Sequence, residues 1–162
     1  FPMDFWVVRK IGAPWQPEFS MGAIAEDDYV WMAAQTVEDL GVTESELDAI
    51  IQGKKLELKE RVFYYRGLHP RPRLSGRSVI LVDDGIATGA SMYAAASSIR
   101  LEQPREITVA VPVASPDSMA FLRNVVDKEI SLLLPHNLIA VGAWYEDFSQ
   151  VSDEDVVSML HR

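Results

Sequence analysis

Residues 78–91 read SVILVDDGIATGAS, and the fold turns on this stretch. Val79–Val82 form an apolar run without alternation, the pattern of a strand covered on both faces. Asp83 and Asp84 close the run. Gly85, Ala87, Thr88, Gly89, Ala90 and Ser91 follow, small residues that let a backbone come close to a ligand. SMYAAASSIRLE (91–102) then reads as a helix, so the stretch is a strand–turn–helix unit. The same grammar repeats downstream. EITVAVPVA (106–114) reads as a second buried strand, and Ser115 caps a helix that has Pro116 at its first position. EISLLL (129–134) and LIAVGAWY (138–145) read as strands, and Ser152 opens a last helix whose acidic first turn suits the helix dipole. Strand and helix alternating in this way predict an α/β fold, a mostly parallel sheet flanked by helices.

Upstream the alternation breaks. FWVVRK (5–10) reads as a buried strand, and 11–32 as a loop with one or two strands, arranged as a hairpin. Thr43 and Glu46 have the spacing of a capping box, and Val42 and Leu47 that of a hydrophobic staple. The helix they start is expected to run toward Arg61, with Gly53 a point of interruption. GLHPRPRLSG (67–76) is a Pro-rich basic connector. Residues 1–162 are therefore read as a single domain, with 11–78 an insertion or subdomain and 79–162 the core. The chain opens at Phe1, already running into an apolar strand, so its natural start is expected upstream.

Composition narrows the function classes. The chain carries 15 basic and 24 acidic side chains, a net charge of −9. So acidic a surface does not neutralise nucleic-acid phosphates. There is no cysteine, which excludes disulfides, thiolate zinc sites and cysteine nucleophiles and fits a reducing compartment. No apolar run is long enough to span a bilayer and no signal peptide is visible, so a cytoplasmic protein is expected, with no nucleic-acid or membrane partner.

In an open α/β sheet, ligands bind beyond the carboxyl ends of the strands, where Asp83 and Asp84 fall. The turn after them leads into a helix N-terminus, with free amides and the positive end of a dipole. Ala87–Ser91 is thus a phosphate cradle, with hydroxyls from Thr88 and Ser91. The carboxylates repel that same phosphate. They suit hydroxyls, or a hydrated cation, a few ångströms away. A sugar 5′-phosphate meets both demands, with vicinal hydroxyls on the aspartates and its phosphate on the helix. An ordinary strand–turn–helix junction would also use a pair of Asp. Neither GxxxxGK[ST] nor a dinucleotide fingerprint is matched.

As a whole, VILVDDGIATGAS resembles the signature of the type I phosphoribosyltransferases, which bind 5-phosphoribosyl-1-pyrophosphate. VVRKIGAPWQPEFSMGAIAED, VFYYRG and AVGAWYEDFSQVSDEDV are similar to blocks that recur in this order in a bacterial phosphoribosyltransferase family. This resemblance implies that Asp83 and Asp84 hold the ribose hydroxyls and that the loop Ile86, Ala87, Thr88, Gly89, Ala90, Ser91 holds the 5′-phosphate. It also implies that Mg2+, held by Asp83 and Asp84 through water, bridges pyrophosphate and ribose. Two departures stand out. The family's Arg-Gly-Gly turn, which grips pyrophosphate on an upstream strand, does not occur in the chain. Ala87 stands where purine-salvage relatives carry an acidic residue, which argues against a hypoxanthine- or guanine-type mechanism.

Arg9 and Lys10 end the first strand. If that strand runs parallel to 79–83, they share the aspartates' edge and can neutralise departing pyrophosphate, as an Arg-Lys pair does in orotate-type relatives. A solvated strand end is the plainer alternative. AWYEDF (143–148) matches the region that covers the base in type I relatives, which points to Trp144, Glu146 and Asp147 as acceptor contacts; core packing is the alternative for Trp144. RGLHPRPR (66–73) reads as a basic lid or a solvated linker, and His69, His136 and His161 lack metal-ligand spacing. The expected function is phosphoribosyl transfer to a nitrogenous base, with Mg2+ and pyrophosphate release, and a homodimer is compatible with it. The alternatives are a non-catalytic phosphoribosyl sensor on the same fold and a receiver-like acidic pocket. The last needs a lone aspartate after a later strand, and ITVAVPVASPD offers only Asp117, inside a helix.

Overall fold

The computed structural model describes residues 3–67 and 69–160. The chain divides into two compact units, one made of 1–72 with 152–162 and the other of 73–151.

In the first unit, β1 (Val8–Ala13), β2 (Gln16–Ala25) and β3 (Tyr29–Met32) form an antiparallel sheet in that order. Pro14 and Trp15 alone separate β1 from β2, so the chain must return antiparallel; a parallel partner needs a long crossover. The register shifts on either side of Gly12, where a Cβ would lie 2.0 Å from the Pro17 carbonyl oxygen, so only glycine fits. The condition set for Arg9 and Lys10, a first strand parallel to 79–83, is not met by the strand pairing: β1 pairs antiparallel with β2 in this hairpin sheet. A short helix α1 (Ala34–Asp39) follows, unannounced by any cap.

Helix α2 (Glu44–Arg66) starts as the sequence predicts. Thr43 accepts from the Glu46 amide, and Glu46 accepts from the Thr43 amide at 2.9 Å. It runs past Arg61 and through Gly53, at which an added Cβ would meet nothing within 4 Å. Packing explains the extra length. Leu47, Ile50, Ile51, Leu58, Val62 and Tyr65 make a helical stripe on the core of Val7, Ile11, Ala13, Met21 and Ile24, and tertiary burial outweighs a cost of about 1 kcal/mol for an exposed glycine. Helix α5 (Asp153–Leu160) is capped by Ser152, which accepts from the Asp155 amide. Asp153 ties it to α2 by accepting from Tyr65 (2.6 Å) and Arg61 (2.8 Å).

The unit 73–151 carries the expected parallel sheet. Strands β4 (Ser78–Val82), β5 (Glu106–Val113) and β6 (Lys128–Leu133) pair in that order, all parallel. Helix α3 (Ala90–Leu101) follows β4, and α4 (Pro116–Leu122) follows β5. Both pack on one face of the sheet, where Met92, Met119 and Leu122 meet Val109 and Val111. The apolar run of β4 predicts cover on both faces, but within this unit helices cover one. The other presents Ile80, Val82, Ile130 and Leu132, all exposed. LIAVGAWY forms no strand: Val141–Trp144 is a single 3₁₀ turn. Gly142 lies so close to the Phe148 ring (2.6 Å to an added Cβ) that the chain folds on itself there. Among the described residues no helix is long and apolar enough to cross a membrane.

Candidate functional site

Strand β4 stops at Val82, and Asp83 and Asp84 emerge at its carboxyl end, both exposed. The Asp84 amide donates to Asp83 Oδ1 at 3.0 Å, which holds one carboxylate over the turn. Gly85 then passes through a gap no side chain can use. A Cβ would lie 2.6 Å from Val141 Cγ1 and 2.9 Å from the Val113 carbonyl oxygen. Ile86 pins the loop to β5: its amide donates to Val113 (2.9 Å) and its carbonyl accepts from Ser115 (3.0 Å). With its side chain in the core as well, Ile86 anchors the loop, and its amide is committed to Val113.

Ala87 and Thr88 are exposed. Gly89 turns the chain into α3 with φ +81°, a left-handed conformation that favours glycine. Among the described residues, no backbone carbonyl accepts from the amides of Thr88, Gly89, Ala90, Ser91 or Met92. These donors lie at the positive end of a twelve-residue helix, beside two hydroxyl side chains. Open amides at a helix N-terminus can receive an anion, and a carboxylate pair can accept hydrogen bonds or hold a hydrated cation. Among the described residues, no group of three or more His, Cys, Asp or Glu could hold a metal ion by itself.

The C-terminal segment meets this turn through a residue that the sequence did not single out. Tyr145 donates its hydroxyl to the Asp84 carbonyl at 2.5 Å. Its ring lies 5.1 Å from that of Phe148. Trp144, Glu146 and Asp147 are exposed on the same segment. The hydroxyl of Ser149 and then its amide donate to Asp147 and hold its carboxyl below the usual carboxylate range. No spacing rule reaches Tyr145, because its partner is a main-chain oxygen sixty-one residues away. Arg9 and Lys10 stand on β1, in the unit 1–72 with 152–162. There Arg9 pairs with Glu57 at 3.0 Å, and Lys54 and Arg9 together hold the Glu57 carboxyl below its ordinary value. The connector that carries His69 has position 68 outside the described residues, and His161 is outside them too.

A family model described as the phosphoribosyl transferase domain matches residues 26–146, which include the whole turn. The chain belongs to this family. Two Mycobacterium tuberculosis proteins, from strains CDC 1551 / Oshkosh and ATCC 25618 / H37Rv, each named "Putative phosphoribosyl transferase", are 37% identical over 161 residues. The match takes in 99% of this chain and 36% of theirs, so the chain spans about a third of the length of these relatives. The crystal structure of TT1426 from Thermus thermophilus has the same fold, with a TM-score of 0.77 and 41% identity over 97% of this chain and 74% of that one.

The close fit at Gly85 makes a stability prediction within the family frame. Gly85→Ala is expected to cost about 1–3 kcal/mol, because the Val113 carbonyl belongs to a central strand and cannot retreat. Urea denaturation reads the change, and a shift under about 0.5 kcal/mol would show that Val141 and the turn move apart freely.

Proposed function

We propose that the chain carries the phosphoribosyl-binding machinery of a transferase acting on 5-phosphoribosyl-1-pyrophosphate, with a nitrogenous base as acceptor. The observation that supports it most is the pairing, within one short turn of a phosphoribosyl transferase domain, of two exposed carboxylates with an open run of helix-terminal amides. In this reading Asp83 and Asp84 accept hydrogen bonds from the ribose hydroxyls. The amides from Thr88 to Ser91, with the Thr88 and Ser91 hydroxyls, hold the 5′-phosphate. Holding the sugar at both ends fixes C1 for attack. The acceptor nitrogen forms its bond to C1 as the C1–oxygen bond breaks. Pyrophosphate leaves with that electron pair, and the nitrogen gives up its proton to solvent. Positive charge develops on the ring, close to the carboxylates.

Mg2+ fits this donor set. Two carboxylates, with no protein-only cage among the described residues, suit an ion that keeps waters and shares substrate phosphates. Asp83 and Asp84 would hold it through water, and its charge would offset that of pyrophosphate. Trp144, Glu146 and Asp147 are the proposed acceptor contacts, the indole offering a flat face.

Ala87 favours a second reading, a non-catalytic phosphoribosyl binder, because its methyl group can take no part in acid–base work on an acceptor. Exchange of labelled pyrophosphate into the sugar donor, measured beside ribose 5-phosphate affinity on the full-length protein, separates the two. Binding with exchange is the expected result. Binding without exchange would favour the binder, and loss of both would overturn the site.

A further inference from the structure

The Ala87 carbonyl is held from the next crossover. Ser118 donates to it at 2.5 Å, and Ser115 Oγ lies 3.1 Å away. Ser115 Oγ is also 2.7 Å from Ser118 Oγ and accepts from the Ser118 amide at 3.1 Å. Each hydroxyl has one proton. That of Ser118 goes to Ala87; that of Ser115 either joins it on the carbonyl's second lone pair or donates to Ser118. Both arrangements aim the carbonyl at α4. Ser118 is buried, and Gly89 rests on it, with an added Cβ only 3.4 Å from Ser118 Cβ.

The consequence lies across the peptide plane. The chain has no cis peptide among the described residues, and in a trans peptide the N–H points opposite the C=O. Holding the Ala87 carbonyl toward α4 therefore turns the Thr88 amide away from α4. Without that hold, rotation about ψ of Ala87 and φ of Thr88 can flip the peptide and present an oxygen where a donor is needed. We propose that Ser118, supported by Ser115, is a positioning residue for anion binding: it sets which side of the Ala87–Thr88 peptide faces the 5′-phosphate. This rests on the phosphoribosyl reading of the turn.

The test is calorimetric titration of ribose 5-phosphate, and of ribose, into full-length protein and three variants, with the Thr88 amide followed by NMR. Ser118→Ala should lose about tenfold in ribose 5-phosphate affinity, the size of one buried hydrogen bond. Ser115→Ala should lose about threefold, and Ser118→Thr, which keeps the hydroxyl, should stay within about twofold of the parent. Ribose, which lacks the anion, should discriminate among them little. In the parent the Thr88 amide should shift on titration, and in Ser118→Ala that response should shrink, a signature that loss of stability alone does not produce. If the parent binds and Ser118→Ala binds equally with the same Thr88 shift, the positioning role is overturned and the phosphate site stands. Equal losses in Ser118→Ala and Ser118→Thr would also overturn it, since the hydroxyl would not be the cause. No binding of ribose 5-phosphate by the parent would overturn the site reading, and the positioning role with it.

Discussion

Asp83→Asn combined with Asp84→Asn is expected to weaken ribose 5-phosphate binding by about 3 kcal/mol or more, above a hundredfold, since hydrogen bonds to charged groups contribute roughly 1.5–3 kcal/mol each. Asparagine keeps the size and one acceptor oxygen of each side chain, so the loss isolates the charge. Both aspartates are exposed at the strand end, and an asparagine side chain at position 83 could still accept the amide that now donates to Asp83 Oδ1. The fold should therefore persist, and removal of adjacent like charges relieves repulsion. Calorimetry gives the affinity and a thermal melt the stability. An unchanged dissociation constant in a folded double variant would refute the assignment of the sugar hydroxyls to this pair.

Arg66→Met should destabilise the unit 1–72 with 152–162 by about 3–5 kcal/mol, the usual result of removing one partner of a buried ion pair. Arg66 and Glu26 are 8% and 4% exposed, so neither charge has water to turn to. Glu26 accepts from Arg66 Nη1 at 2.8 Å and from the Val7 amide at 2.9 Å. Arg66 also donates to the Phe5 carbonyl at 3.0 Å and lies 4.5 Å from the centre of the Phe5 ring. Methionine replaces the stem of the side chain but leaves a buried, uncompensated carboxylate. Adding Glu26→Gln removes that charge and keeps an acceptor for Val7, so the double variant should regain most of the loss. Urea denaturation of the single and double variants closes the cycle. A single-variant cost under about 1 kcal/mol would mean that water reaches Glu26 and that the pair is not a structural anchor.

The readable parts of this protein are those governed by near neighbours. Thr43 with Glu46, Ser115 ahead of Pro116, and Ser152 cap their helices as the spacing predicts, because a cap is satisfied within one turn. The run from Ser78 to Ser91 forms strand, turn and helix where its pattern says, and its family match covers the same residues. The parts that were not readable depend on distant neighbours. LIAVGAWY has strand composition, yet strand composition describes a half-buried surface, and the surface offered to this segment is Gly85 against Val141 and a ring against Gly142. FWVVRK does supply a strand at Val8–Lys10, but its composition is silent on direction, and two residues of turn commit β1 to an antiparallel β2.

Local chemistry settled which residues begin helices, which run forms the parallel strand, and that a diacid meets small residues ahead of a helix. These are contests between a residue and its immediate chain neighbours, with the same answer in any surroundings. Tertiary packing decided the rest: the Glu26–Arg66 pair, the Tyr145 hydroxyl on Asp84, and the two serines around Ala87. Each joins groups remote in sequence. Its gain appears only when packing brings the partners to hydrogen-bond distance and removes the water that would otherwise compete for them.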